Sequence, residues 1–187
     1  SFSVVRMQDV FEYYIGGGWG NDDEDNDFPT PAYVIRGTDF PHVKQGDLST
    51  CPLRYHKESN YSARQLQPDD IILEVSGGTA EQPVGRTLLV TSDTIDRFGG
   101  KVICASFCKQ IRVKRDVISP YYFYYWMQFL YDTRIIDRFQ LQSTGMRICE
   151  ALDVPIENIV EFRRICIRQH KSTHVNTCQR ILAKCRI

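Results

Sequence analysis

The chain has no run approaching the roughly 18 apolar residues of a membrane-spanning helix. Its start also lacks the charged stretch followed by an apolar one that marks a secretory leader. Neither a membrane span nor export is expected, and the cytoplasm is the expected compartment. Gly-x-Ser-x-Gly, His-Glu-x-x-His and Gly-x-x-x-x-Gly-Lys-Ser/Thr are all missing. The serine-hydrolase elbow, the zinc-protease helix and the nucleotide-phosphate loop are therefore excluded, and no catalytic residue is assigned. The cysteines Cys51, Cys104, Cys108, Cys149, Cys166, Cys178 and Cys185 include no Cys-x-x-Cys pair, and no histidine near Cys104 and Cys108 completes a zinc set. They are expected to be buried, reduced thiols, with no metal bound. His42 has no partner at metal or triad spacing and reads as a surface residue. Net charge is missing too, with 23 basic against 23 acidic residues. The balance is uneven: residues 157–187 hold seven basic and two acidic, which leaves sixteen and twenty-one in residues 1–156. That excludes a generally basic nucleic-acid binder, so a polyanion would have to meet a local basic face.

What is present suffices for a core: 42% of the residues are hydrophobic and 12% aromatic. The length fits one domain, residues 1–156, with an appended segment, 157–187, expected as a C-terminal helical piece. The pattern predicts an α+β fold. Val4, Met7, Val10, Phe11 and Tyr14 trace one face of an N-terminal helix, which Gly16-Gly17-Gly18 would end. A twisted mixed β-sheet of short strands follows, from 32–36, 53–56, 71–75, 87–91, 101–106 and 107–113. Ser119 and Pro120 supply an N-cap and a first helical position. They open an aromatic helix over 121–140 whose face of Phe123, Met127, Leu130, Tyr131 and Arg134 belongs to the core rather than to a base-stacking platform. Residues 152–156 form a short extended piece.

Three glycine-bearing stretches stand out. The central one is Glu-Val-Ser-Gly-Gly-Thr-Ala-Glu-Gln-Pro-Val-Gly-Arg, residues 74–86, between two strand-like runs. Gly77, Gly78 and Gly85 permit close backbone approach there, and Pro83 fixes a bend. Ser76, Thr79, Gln82 and Arg86 remain as polar groups, the last a rigid fork of donors. An ordinary hairpin loop fits the same residues. The second stretch, residues 140–147, carries Gln142, Ser143, Thr144, Gly145 and Arg147. The third surrounds Trp19 with Gly17, Gly18 and Gly20, and five acids follow within 22–27. Mutual repulsion should keep that acidic run solvated, and it lacks the alternation and terminal Glu of an EF-hand. Trp19 is expected to anchor the loop into the core.

Tyr14-x-Gly16-x-Gly18 imitates the aromatic-x-Gly-x-Gly turn of methyltransferases that bind S-adenosylmethionine. It follows a helical pattern and opens an acidic loop, and no Asn/Asp-Pro-Pro-Tyr/Phe motif exists in the chain. A methyltransferase centre is not expected. A different resemblance lies in the order of four segments: Gly16-Gly17-Gly18-Trp19-Gly20, Val34-Ile35-Arg36-Gly37-Thr38-Asp39, Ser76-Gly77-Gly78 through Gln82-Pro83-Val84-Gly85-Arg86, and Gln142-Ser143-Thr144-Gly145-Met146-Arg147. Together they resemble a target recognition domain of the DNA-specificity subunit of type I restriction-modification systems, over about residues 4–156.

The resemblance implies a non-catalytic reader of double-stranded DNA that recognises one half of a bipartite target. The partners it implies are methylation subunits, which modify an adenine, and restriction subunits, which translocate and cleave. S-adenosylmethionine, ATP and Mg would belong to those partners, with no cofactor in this chain. The chain departs from the family at its end, where 156–187 keeps at most Ile159-Val160-Glu161-Phe162 of the approach to a long spacer helix.

The side chains allow the same role. Arg86 and Arg147 suit bidentate contact with guanine, and Gln82 and Gln142 suit adenine, with Ser76, Thr79 and Thr144 as further base-reading candidates. Arg36, Lys44, Lys101, Lys109 and Arg112 are candidates for phosphate contacts, which position without specifying. For each arginine a structural ion pair is the competing role, with Glu74 or Asp70 as the acid for Arg86. The motif glycines, Gly17, Gly18, Gly77, Gly78, Gly85 and Gly145, equally suit shaping of the fold. Two other functions fit the sequence: the recognition part of a fused methyltransferase-nuclease, and a protein-interaction module using the acidic loop.

Overall fold

The computed structural model describes residues 4–79, 82–139 and 153–155. The expected helical segment at 157–187 and the loop at 140–147 lie outside them, as does the division at residue 156. The chain enters through β1 (Val4–Arg6), a single 3-10 turn (Met7–Val10) and β2 (Phe11–Gly16). This corrects the expected N-terminal helix, and the reason is physical. The turn buries Met7 and Val10 at the i, i+3 spacing of a helical face. Phe11, Tyr13 and Ile15 are then half-buried and Glu12 and Tyr14 exposed, as in a strand, with a bulge between Phe11 and Tyr13 that brings the Phe11 ring onto the face of Tyr14, where the two stack. A turn followed by a strand thus imitates the helical period, and aromatic and β-branched residues fit a pleated surface better than a helix.

The expected strands are present: β3 (Thr30–Ile35), which begins two residues before the expected 32, β4 (Leu53–His56) with its expected bounds, and, with trimmed ends, β5 (Ile71–Glu74), β6 (Thr87–Leu89), β7 (Val102–Cys104) and β8 (Cys108–Val113). Between them sit three short helices that the sequence reads as loops or connectors: α1 (Phe40–Lys44), α2 (Glu58–Ser62) and α3 (Ser92–Arg97). The aromatic helix α4 (Pro120–Asp132) starts where Ser119-Pro120 places it, and β9 (Asp153–Pro155) follows in the extended piece. The architecture is α+β. The strands form separate sheets rather than one: an antiparallel β2-β8-β5-β6, a mixed β4-β3-β7 with β3 and β7 parallel, and an antiparallel β1-β9 pair.

All four residues of β5 are buried, because this strand is covered on both faces. Ile71 and Leu73 join Met7, Ile111, Phe123, Trp126 and Met127 in a core beneath α4. Ile72 points the other way, into a second core with Ile35, Phe40, Leu66, Val102 and Cys104 between the sheets. Of the expected stripe, Phe123, Met127 and Leu130 are core and Tyr131 packs half-buried against them, but α4 ends at Asp132 rather than at 140, and Arg134 lies exposed beyond it, paired with Asp137. Cys51, Cys104 and Cys108 are free and buried, and burial pushes the Cys51 and Cys104 thiols up to about 12. Asp70, fully buried at the start of β5, accepts from Gln67 N, Gln110 Nε2 and both forks of Arg112 at 2.7–2.9 Å. Those bonds compensate the loss of water around its charge.

Candidate functional site

Three of the four resemblance segments converge on one concave surface. A cleft of about 660 Å³ is lined by Trp19, by Arg36, Gly37 and Thr38, by Glu74, Ser76 and Gly77, and by Ala105, Ser106 and Phe107. Close backbone approach brings the segments together. Gly17 N donates to Cys108 O and Gly18 N to Cys104 O, so the end of β2 runs against the β7–β8 turn. A Cβ on Gly17 would lie 2.1 Å from Ala105 O, which only glycine avoids. Gly37 meets Glu74 in the same way, its hypothetical Cβ falling 2.1 Å from Oε1. Gly18 is buried against Ile103 and Gly85 against Ile136, and exposed Gly78 lies close to the Val84 backbone. These glycines shape the fold; Gly77 alone of the loop glycines, at φ +89°, has open space around it.

The central loop stands on a rigid base. Strand pairing sets Leu73 opposite Thr87, so Glu74 and Arg86 face each other one step farther along. Arg86 Nε and Nη2 donate to the two carboxylate oxygens of Glu74, both at 2.7 Å. The pair is almost closed to water, with Glu74's side chain 6% exposed and Arg86's 15%. The hydrogen bonds to Glu74 raise the Arg86 pKa above its ordinary value. Arg86 is thus a clamp for the loop rather than an outstretched fork. Beyond it Ser76, Gly77, Gly78, Thr79 and Gln82 are exposed. The turn is tied by Thr79 N to Gln82 O at 2.8 Å and by Gln82 N to Thr79 Oγ1 at 3.1 Å. Ser76 and Gly77 line the large cleft, whereas Gln82 and Arg86 line a separate recess of about 220 Å³ with Lys44 and Gln128. The loop forms the ridge between two hollows.

The other basic candidates divide the same way. Arg36 gives Nε and Nη2 to Asp39 at 2.9 and 3.0 Å and Nη2 also to Thr50 O, and Arg112 is held by Asp70. Each guanidinium pKa is raised by those bonds to its carboxylate. The lysines are not forked onto a carboxylate in this way: Lys44 Nζ lies 3.5 Å from Gln128 Oε1, where burial lowers its pKa against the pull of nearby Asp132, Lys109 sits 5.4 Å over the Tyr14 ring, and Lys101 is exposed in the neighbourhood of Glu58. Gln142, Thr144, Gly145 and Arg147 lie outside the described residues.

Trp19 is not a core anchor. It is 40% exposed on the cleft wall, with the Arg54 guanidinium 4.7 Å over its ring. Arg54 fixes the loop instead, donating to Trp19 O, Gly20 O and the Asp22 carboxylate. The remaining acids through Asp27 are exposed, as charge repulsion requires. Phe107 is a residue that the sequence does not single out. It reads as the start of a strand, yet it sits in the turn between β7 and β8 at 65% exposure. The signal available was an aromatic beside Ser106 between two apolar runs.

Among the described residues no helix is long and apolar enough to cross a membrane. No family model and no curated protein matches the chain. Among solved structures, the HsdS subunit from Thermoanaerobacter tengcongensis is similar over 97% of this chain, at 15% identity and a TM-score of 0.46. The match covers 43% of that subunit, so the chain spans less than half its length.

Proposed function

We propose that this chain is a non-catalytic, sequence-specific reader of double-stranded DNA, recognising one half of a bipartite target for a type I restriction-modification complex. The observation that carries the reading is the ridge of the central loop, where exposed Ser76, Thr79 and Gln82 stand on a base locked by the Glu74–Arg86 pair, which is almost closed to water. A groove reader needs this combination of short polar side chains for base edges and a base that does not move when they bind. The ordered sequence segments support the same assignment, because three of them build the cleft beside the ridge. Ser76, Thr79 and Gln82 are the base readers of this loop, and Arg86 positions them. Gln142, Thr144 and Arg147 are the corresponding candidates of the second loop. Lys44, Lys101 and Lys109 supply phosphate contacts, while Arg36 and Arg112 are spent on the scaffold. The methylation and restriction subunits are the partners, and S-adenosylmethionine, ATP and Mg act in them.

Titration of duplex DNA at several salt concentrations tests this. Three lysine–phosphate contacts give a slope of about −3 in log affinity against log salt, at about −0.9 per phosphate. A flat response, or no binding at low salt, contradicts the reading.

A further inference from the structure

The cleft has features that reading base edges in a groove does not require. Its walls carry two large aromatics left open to solvent, Trp19 and Phe107, at 40% and 65% exposure. Monomeric folds leave few such rings exposed on the lining of one cleft without a use. With Arg54 over one face of the Trp19 indole, the cleft side is left for something else to cover. The two full charges in the lining are already neutralised. Both Glu74 oxygens are held by Arg86, and Arg36 is forked onto Asp39. What remains is an apolar space rimmed by the exposed hydroxyls of Thr38, Ser76 and Ser106. An anion or a cation would find no uncompensated counter-charge there. A neutral planar ring with apolar faces and a hydrogen-bonding edge fits both the aromatic walls and the hydroxyl rim.

We infer that this cleft takes a single unstacked nucleobase, held between Trp19 and Phe107 with its edge toward Ser76 and Ser106. The inference rests on the DNA-reading role and deepens it: the ridge would meet the paired duplex while the cleft beside it holds a base that has left the stack. The cleft is large enough for a purine without rearrangement of its glycine-locked floor at Gly37.

The test uses the full chain and three duplexes of one sequence: fully paired, with one unpaired adenine, and with an abasic site in its place. Trp19 fluorescence is read in a Trp126→Phe background, since Trp126 is the other tryptophan and is buried on the core face of α4. The unpaired-adenine duplex should bind about tenfold tighter than the other two, in the range that base–aromatic stacking contributes, and should alone quench Trp19. Phe107→Ala should abolish that preference with the melting temperature unchanged, because the ring is mostly in solvent. If Trp126→Phe disturbs folding, the affinity ratio and its loss in Phe107→Ala decide the matter in the otherwise unaltered protein. Equal affinity for the three duplexes, or a preference that survives Phe107→Ala, overturns the inference. Quenching by free adenosine without preference for the unpaired duplex overturns it also, by assigning the cleft to a nucleoside. Absence of binding to every duplex overturns the DNA-reading role itself, whereas duplex binding without preference overturns only the use of the cleft.

Discussion

Arg86 closes the central loop in the sequence, and its fork suits a guanine edge, yet its position in the hairpin commits it to Glu74. That commitment was partly legible. Glu74 ends one strand-like run and Arg86 precedes the next, so antiparallel pairing of those runs sets them opposite one another. What the sequence could not show is that both side chains turn inward, since that depends on Gly37 allowing the carboxylate into the space a side chain would fill. The consequence is that Arg86→Ala leaves a buried, unpaired carboxylate. It should cost about 3 kcal/mol of stability, the lower end for breaking a buried pair, and weaken binding to all duplexes alike. A melting curve beside affinities for single-base variants checks this; unchanged melting with relaxed selection at one base pair would restore Arg86 as a reader. His56 offers a second residue-level outcome. It is 1% exposed, and burial lowers its pKa, outweighing a backbone contact with Ala32 that favours the charged ring. The folded chain therefore resists the proton that the unfolded chain accepts near pH 6.5. Stability should be intact above that value and fall as the pH drops below it. Thermal melts between pH 7.5 and 5 should show the loss, and His56→Gln should flatten it.

At the scale of elements, the strands and α4 were readable because their signals are local: apolar runs bounded by turn residues, and a Ser-Pro helix start. The N-terminal helix was misread because a 3-10 turn joined to a strand has the spacing of a helix, and only the partner strand β8 decides between them. The short helices α1, α2 and α3 were hidden because so few residues carry no period. The site divides along the same line. Its loops were found from their glycines, but Phe107 was hidden because exposure is a property of the packed β7–β8 turn. The glycines themselves differ in what they do. Gly17→Ala forces a Cβ into the Ala105 carbonyl and should destabilise by about 3 kcal/mol or more, among the larger single-residue effects. Gly77→Ala meets nothing within 4 Å and bears only the backbone cost of its positive φ, about 1 kcal/mol. Denaturant titration of the two variants checks the contrast; comparable losses would mean that the end of β2 yields to make room.

For the whole molecule, residues 1–156 are acidic on balance, and the guanidinium groups of Arg36, Arg86 and Arg112 are each consumed by a carboxylate. On the proposed reading, affinity for DNA comes from lysines such as Lys44, Lys101 and Lys109, and selectivity from the short polar side chains of Ser76, Thr79 and Gln82. That division was not legible in the sequence, where every basic residue near a loop has equal standing, because ion pairing between distant positions is settled only by packing. The most direct measurement is selection from a randomised duplex pool with the full chain and with a Ser76→Ala/Thr79→Ala/Gln82→Ala variant, alongside melting curves. The account predicts that the unaltered chain enriches a short motif, and that the variant melts at the same temperature, still binds the pool with similar salt dependence, and enriches a weaker or different motif. Enrichment of the same motif by both proteins, or none by the unaltered chain, would contradict it.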